Sequence, residues 1–172
     1  MNKTIRNGIV TGLHQHTGVT VVPNNTTDHR PDYPYITYQI IGSHKSNTFS
    51  LVDEVIPSTN PDFEYDVKVI RKEQQPFSLS INAYSNTEEE AYSLAEKARD
   101  WFTFHGDLYF VGMNIAIIVA GNINDRTQLI VDDYERRYGF DVRIRAARAI
   151  TKRVETIESH NFNSTVNRQP KE

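Results

Sequence analysis

Apolar residues recur along this chain with two different periods, and one long stretch follows neither. Ile5, Ile9 and Leu13 stand four apart with Val10 beside them, which predicts a short amphipathic helix near the N-terminus. Asn2 fits as its N-cap and Gly18 as its stop. Gly8 and Gly12 weaken such a helix in isolation, so tertiary packing must hold it, and small residues at that spacing let a neighbouring element approach closely. The clearest helix is predicted at 88–104. Thr87 and Glu90 form a capping box, and Glu88 and Glu89 suit the positive end of the helix dipole. Ala91, Leu94, Ala95, Ala98, Trp101 and Phe102 trace one stripe, and Gly106 ends it. Trp101 on that stripe reads as core rather than as a ligand platform.

The period of two appears elsewhere. Val19 to Val22 is a short β-prone run ended by Pro23, and 24–34 is a polar loop. Tyr35 to Ile41 reads as a strand with apolar residues on both faces, central or covered on both sides, ended by Gly42. Phe63, Tyr65, Val67 and Val69 alternate with polar residues, as do Phe77, Leu79, Ile81 and Ala83, and the polar link from Arg71 to Pro76 suggests a hairpin turn. Three further β-like runs follow at Leu108–Val111, Asn114–Ala120 and Gln128–Val131. In the last stretch Phe140, Val142, Ile144 and Ala146 alternate with Asp141, Arg143 and Arg145, giving one apolar and one mainly cationic face. The blurring at Ala146–Ala147 predicts a bulge or bend.

The segment from Gly42 to Asp62 has no clean period. It reads as a long connection whose apolar residues Leu51, Val52, Val55 and Ile56 suggest a binding arm, or else pack back on their own domain. The sum is an α+β fold, a mainly antiparallel sheet with two α-helices packed on one face. The expected organisation is one domain over 1–158 and a polar, flexible tail over 159–172. The predicted core joins Leu94, Trp101, Phe102, Ile81, Val67, Val142 and Ile144.

Composition narrows the function. The chain has 172 residues, with 38% hydrophobic and 24% charged, as expected of one ordinary globular domain. Cysteine is absent, which removes disulfides, thiolate nucleophiles and cysteine-ligated metals and fits a reducing compartment. The N-terminus carries no apolar segment of signal-peptide type. The longest apolar run, Ile115 to Ala120, is too short to cross a bilayer, so no membrane is expected. Net charge is −3, which argues against a general nucleic-acid binder. Residues 1–125 hold 9 basic and 15 acidic side chains and 126–172 hold 10 and 7, so the segments carry −6 and +3. Such polarity suits packing between identical subunits, or is simply an uneven solvated surface.

No motif of catalysis appears: no phosphate loop, no G-x-S-x-G and no H-E-x-x-H. His14 and His16 are two apart, so on a helix they diverge, and no third ligand stands near; His29, His44, His105 and His160 are scattered. The acidic pairs Asp53–Glu54 and Asp132–Asp133 read as solvated loops rather than acid–base machinery. The chain is therefore expected not to be an enzyme and to need no cofactor. The cationic set is more informative: Arg136, Arg137, Arg143 and Arg145, with Arg148, Lys152 and Arg153 following. It forms either a phosphate-facing surface or ion pairs, within or between subunits, with Glu64, Asp66, Glu135 and Asp141. The acidity of the whole chain favours pairing. Arg143 and Arg145 must point away from the apolar face, toward subunit contacts or a bore.

The stretch Asp132-Asp-Tyr-Glu-Arg-Arg-Tyr-Gly-Phe-Asp-Val-Arg-Ile-Arg145 and the trailing Arg153-Val-Glu-Thr-Ile-Glu158 resemble the tail-terminator, or neck-terminator, proteins of long-tailed bacteriophages. The order of elements over roughly residues 3–158 resembles them too. The resemblance implies a structural virion protein of the tail or neck, made in the host cytoplasm. It implies a homohexameric ring that caps the tail tube, stops tail elongation and docks to the head–tail connector. DNA passes through the bore without sequence-specific binding. No catalytic or cofactor residue is carried over. A head-completion, tail-tube or minor tail protein would share this composition, and a small enzyme is the more distant alternative.

Overall fold

A computed structural model of the chain describes residues 3–25, 29–43, 48–130 and 133–155, with Ile130 and Asp133 as backbone only. Asn2, His44, Val131, Asp132, His160 and the whole 156–172 segment, tail included, lie outside the described residues. The chain divides into two compact units: residues 1–49 with 73–148, and residues 50–72 with 149–172.

The first unit begins with helix α1 (Lys3–Thr17), whose Ile9 and Leu13 are buried as the stripe requires. Gly18 ends it at φ +80, a left-handed conformation that glycine adopts without strain, and its N–H donates to the His14 carbonyl at 2.8 Å. Both interior glycines are there for close approach. A Cβ on Gly12 would lie 2.5 Å from the Trp101 ring, and the Tyr109 hydroxyl donates to the Gly8 carbonyl at 2.8 Å.

Strands β1 (Thr20–Pro23) and β2 (Tyr35–Ser43) pair in parallel, Thr20 opposite Tyr35, so the sheet is mixed rather than wholly antiparallel. Strand β4 (Tyr65–Ser85) pairs antiparallel with β2. Strands β5 (Ile115–Ala120), β6 (Asn124–Asp125) and β7 (Gln128–Ile130) all pair antiparallel with the long β8 (Asp133–Glu155). The sheet order is β1-β2-β4-β8-β5. A register shift falls in β5 between Ile117 and Val119 and another in β2 between Ile40 and Gly42. Strand β2 is buried on both faces only over Tyr35, Ile36 and Thr37.

Helix α2 (Glu88–Asp100) starts as predicted, with the Glu90 N–H donating to Thr87 Oγ1 at 3.3 Å. The capping box does not close. Glu90 instead accepts from the Ser85 hydroxyl. The helix does not run to 104 as an α-helix either. A π-helical turn (Trp101–His105) follows, with the Gly106 N–H bonded to the Trp101 carbonyl five residues back at 2.9 Å. Gly106 is a junction rather than a stop, because helix α3 (Asp107–Gly112) begins at once. Leu108–Val111, read as a strand, is thus helical. A four-residue apolar run carries no usable period, and the Phe110 N–H bonded to the Gly106 carbonyl at 2.9 Å decides it. A Cβ at Gly106 would strike the Phe110 ring at 2.6 Å and the Trp101 carbonyl at 2.7 Å.

All three helices and the sheet close on one core. It joins Ile9 and Leu13, Leu94, Ala95 and Ala98, Trp101, Phe102 and Phe110 with Leu79, Ile81, Phe140, Val142 and Ile144. Six of the seven expected core residues are there. Val67 is not: it is half-buried and belongs to the other unit.

Three expectations are corrected in and next to that second unit. Residues 49–57 are not a structureless connection but strand β3 (Phe49–Pro57), paired with β4. The segment 71–76 makes no hairpin turn, because β4 runs unbroken for 21 residues. Pro76 lies within this strand, one residue before Phe77, the last partner of β2 among the described residues. At 65 and 66 the expected phase is also inverted: Tyr65 is exposed and Asp66 fully buried. Asp66 is held by the Ser58 hydroxyl at 3.0 Å and by Arg153 Nε at 2.5 Å. Arg153 also donates to the Pro57 carbonyl, so one arginine fastens the ends of three strands.

Candidate assembly surfaces

On β8, the buried residues Phe140, Val142, Ile144 and Ala146 alternate with exposed Asp141, Arg143 and Arg145. The sheet therefore has an inner face under the helices and an outer face whose chemistry is polar. Arg126 organises that outer face. Its guanidinium donates to Ser80 Oγ at 2.7 Å, Asn82 Oδ1 at 2.9 Å and Asp141 Oδ1 at 3.0 Å. Its backbone is clamped to Arg137, N–H to carbonyl at 2.8 Å and carbonyl to Arg137 Nε at 2.9 Å. Asp125 makes this turn by accepting from the Thr127 N–H at 2.8 Å, and its hydrogen bonds with Thr127 hold its carboxyl below the usual carboxylate range. Gly139 leaves room beneath, since a Cβ there would lie 2.5 Å from Asn82 Oδ1.

Next to this network, Tyr33, Tyr35 and Tyr84 form a stacked column with centroid separations of 5.4 and 4.8 Å. Arg137 lies over the Tyr84 ring and donates to its hydroxyl at 3.2 Å. Burial, with Glu135 close by, pushes the Tyr35 phenol up to about 12. Glu135 itself pairs with Arg30.

The cationic residues singled out from the sequence thus separate into two kinds. Arg137 is half-buried in the network, and Arg136 lies 5.0 Å over the Tyr134 ring. Arg143 and Arg145 are exposed, and among the described residues no hydrogen bond or ion pair holds either. Of the expected acidic partners, Asp141 pairs with Arg126, Asp66 with Arg153 and Glu135 with Arg30, and Arg148 pairs with Glu73. Arg126 and Arg30 carried no signal in sequence, because their partners are far along the chain.

The apolar arm residues are not gathered into one patch. Strand alternation puts Leu51 and Val55 on one face of β3 and Val52 and Ile56 on the other. Leu51 and Val55 are 60% and 68% exposed, so packing back on their own unit is not what they do. Sequence reasoning missed a second apolar surface in the first unit. Phe104, Leu108 and Val111 form an outward stripe, 72%, 88% and 70% exposed, at a spacing that only the helical assignment reveals. His14 and His16 diverge as expected: His14 Nδ1 meets the Val19 carbonyl at 2.7 Å, and His16 stacks on His105.

A family model described as phage neck terminator protein matches residues 7–169. The chain belongs to the phage neck terminator family. The match takes in nearly the whole chain, including the 132–145 and 153–158 segments that carried the resemblance. No curated protein matches the chain. A neck terminator is a structural protein of the phage tail or neck. Among the described residues no helix is long and apolar enough to cross a membrane.

Proposed function

We propose that this chain is the terminator subunit of a long-tailed phage. In this reading it forms a homohexameric ring that caps the tail tube, ends its elongation and joins the tail to the head connector, with DNA passing through the bore. The observation that carries the proposal is the family match across residues 7–169. It is supported by a subunit that exposes apolar side chains on β3 and on α3, and by two outward arginines that have no partner among the described residues. A closed ring of identical subunits needs two different, complementary patches on each copy. Arg143 and Arg145 act at those contacts or face the bore, where an acidic partner or the DNA backbone balances them. No step of catalysis is assigned.

Mass photometry of the purified protein across concentration and salt tests the ring, and particles assembled without the protein test its role. The expected results are a hexamer and, in its absence, unjoined tails of irregular length. A protein that stays monomeric at every concentration and does not join tail tubes overturns the proposal.

A further inference from the structure

Two of the strands with an open edge are longer than the four-residue β1, which ends on Pro23, and than the short β6 and β7. Among the described residues β5 pairs only with β8, and β3 pairs only with β4. Open edges are normally blunted by lysine, an internal proline or cover. Ile115–Ala120 reads IAIIVA, with no charge and no proline, and Ile118 and Val119 are about half exposed. Phe49–Pro57 has its only proline at the end, and its centre, Leu51 to Ile56, alternates apolar and acidic character by pairs. Both edges are the kind that another strand completes.

Charge says which strand. On the outer face Val119 stands opposite Arg143 and Ala116 opposite Arg145. Neither arginine has a partner among the described residues, and the small Ala116 leaves Arg145 free to lean across β5. On β3 the adjacent acids have different fates. Glu54 pairs with Lys68 at 2.9 Å, whereas Asp53 is exposed and without a partner among the described residues. Asp53 sits on the face of Leu51 and Val55, midway between them, so the pattern apolar–acid–apolar reads the same in either strand direction. A strand laid along β5 stands two strand spacings, roughly 10 Å, from β8, a gap that an arginine and an aspartate span together.

We infer that β3 of one copy adds to the open edge of β5 in the next copy. Asp53 then lies level with Ala116 and reaches Arg145 and Arg143, and Leu51 or Val55, according to strand direction, covers Val119. This rests on the ring proposed above and names its contact: one sheet edge with one arm, a head-to-tail joint that repeats around a closed ring.

The absence of cysteine makes the test clean. Val119→Cys is co-expressed with Leu51→Cys, Val55→Cys or, as the opposite-face control, Val52→Cys, and the assembled protein is oxidised. A covalent heterodimer with Leu51→Cys or Val55→Cys, and not with Val52→Cys, is the expected result. In parallel, Arg143→Glu/Arg145→Glu and Asp53→Arg should each weaken assembly about tenfold or more, and the combined variant should recover most of it. A ring that forms normally yet gives no such heterodimer, or whose charge reversals do not rescue each other, overturns this inference and leaves the ring standing. A protein that never oligomerises removes both.

Discussion

The two ends of β8 share one strand and differ in what covers them. From Phe140 to Ala146 burial alternates residue by residue, while from Ala147 to Glu155 every residue is exposed. Strand β4 makes the same contrast in reverse order, half-open from Tyr65 to Pro76 and almost wholly buried from Phe77 to Ser85. Where one face of a strand meets the helices, the sequence must alternate to keep its core. Along β3 and the far end of β8, exposed apolar residues such as Leu51, Val55, Ile150 and Val154 are not part of that core.

The contrast is broken most sharply by truncating one leucine from each region. Leu94, 8% exposed in the core, should lose roughly 2–5 kcal/mol on replacement by alanine, through lost transfer energy and the cavity left behind. Leu51→Ala, at an exposed site, should change the subunit's own stability by less than about 0.5 kcal/mol. Denaturant melts of both variants check this. A large loss at Leu51 with no oligomer present would mean that β3 is a covered strand after all.

The same difference explains what could be read from the sequence. Helix α2 was legible because Thr87, three following glutamates and a stripe ending at Trp101 and Phe102 agree with one another. The inner face of β8 was legible because its period follows from burial. Strand β3 was not, since a strand open on both faces imposes no alternation on LVDEVI. The course of β4 through 71–76 was hidden by its polar residues and Pro76, which read locally as a break. The outer-face network was invisible for another reason: Arg126 meets Ser80 and Asn82 across more than forty positions. The edges of β5 and β3 follow from strand order alone, which no local pattern encodes.

A second pair of variants sharpens the picture within the well-packed unit. Gly8 and Gly12 occupy equivalent turns of α1, and alanine at either raises helix propensity by up to about 1 kcal/mol. At Gly12 the new Cβ meets two rings, Trp101 at 2.5 Å in the core and Tyr109 at 2.8 Å packed against it. At Gly8 it meets the end of Met113, a flexible side chain that can swing away. Gly12→Ala should therefore destabilise by roughly 1–3 kcal/mol as overpacking outweighs propensity, and Gly8→Ala should come out near neutral. Thermal melts of the two side by side decide it. Equal effects would mean that the α1–Trp101 contact yields as easily as a methionine.

The smallest effect expected is a pH dependence confined to the same unit. His16 stacks on His105 with ring centroids 5.1 Å apart. Lys97 stands beside it, its ammonium donating to the Thr17 carbonyl at 3.1 Å, while a hydrogen bond with the Lys97 backbone and the charge of Asp100 act in the opposite sense. Burial first, then the charges of His105 and Lys97, lower the His16 pKa from its ordinary 6.5. The folded state thus resists a proton that the unfolded chain accepts. The contribution to stability is full above the unfolded value, is lost as pH falls through 6.5 toward the folded pKa, and levels off below that. His16→Phe keeps an aromatic ring against His105 and cannot titrate. Its melting temperature should therefore fall less steeply than that of the unaltered protein between about pH 7 and pH 5, with the curves nearly parallel at higher pH. Hydrogen exchange at Asp66 and its β3 neighbours should be the same in both proteins, because no histidine lies in that unit's described strands. Parallel curves throughout would show that the ring pair is solvated well enough to carry its charge at no cost.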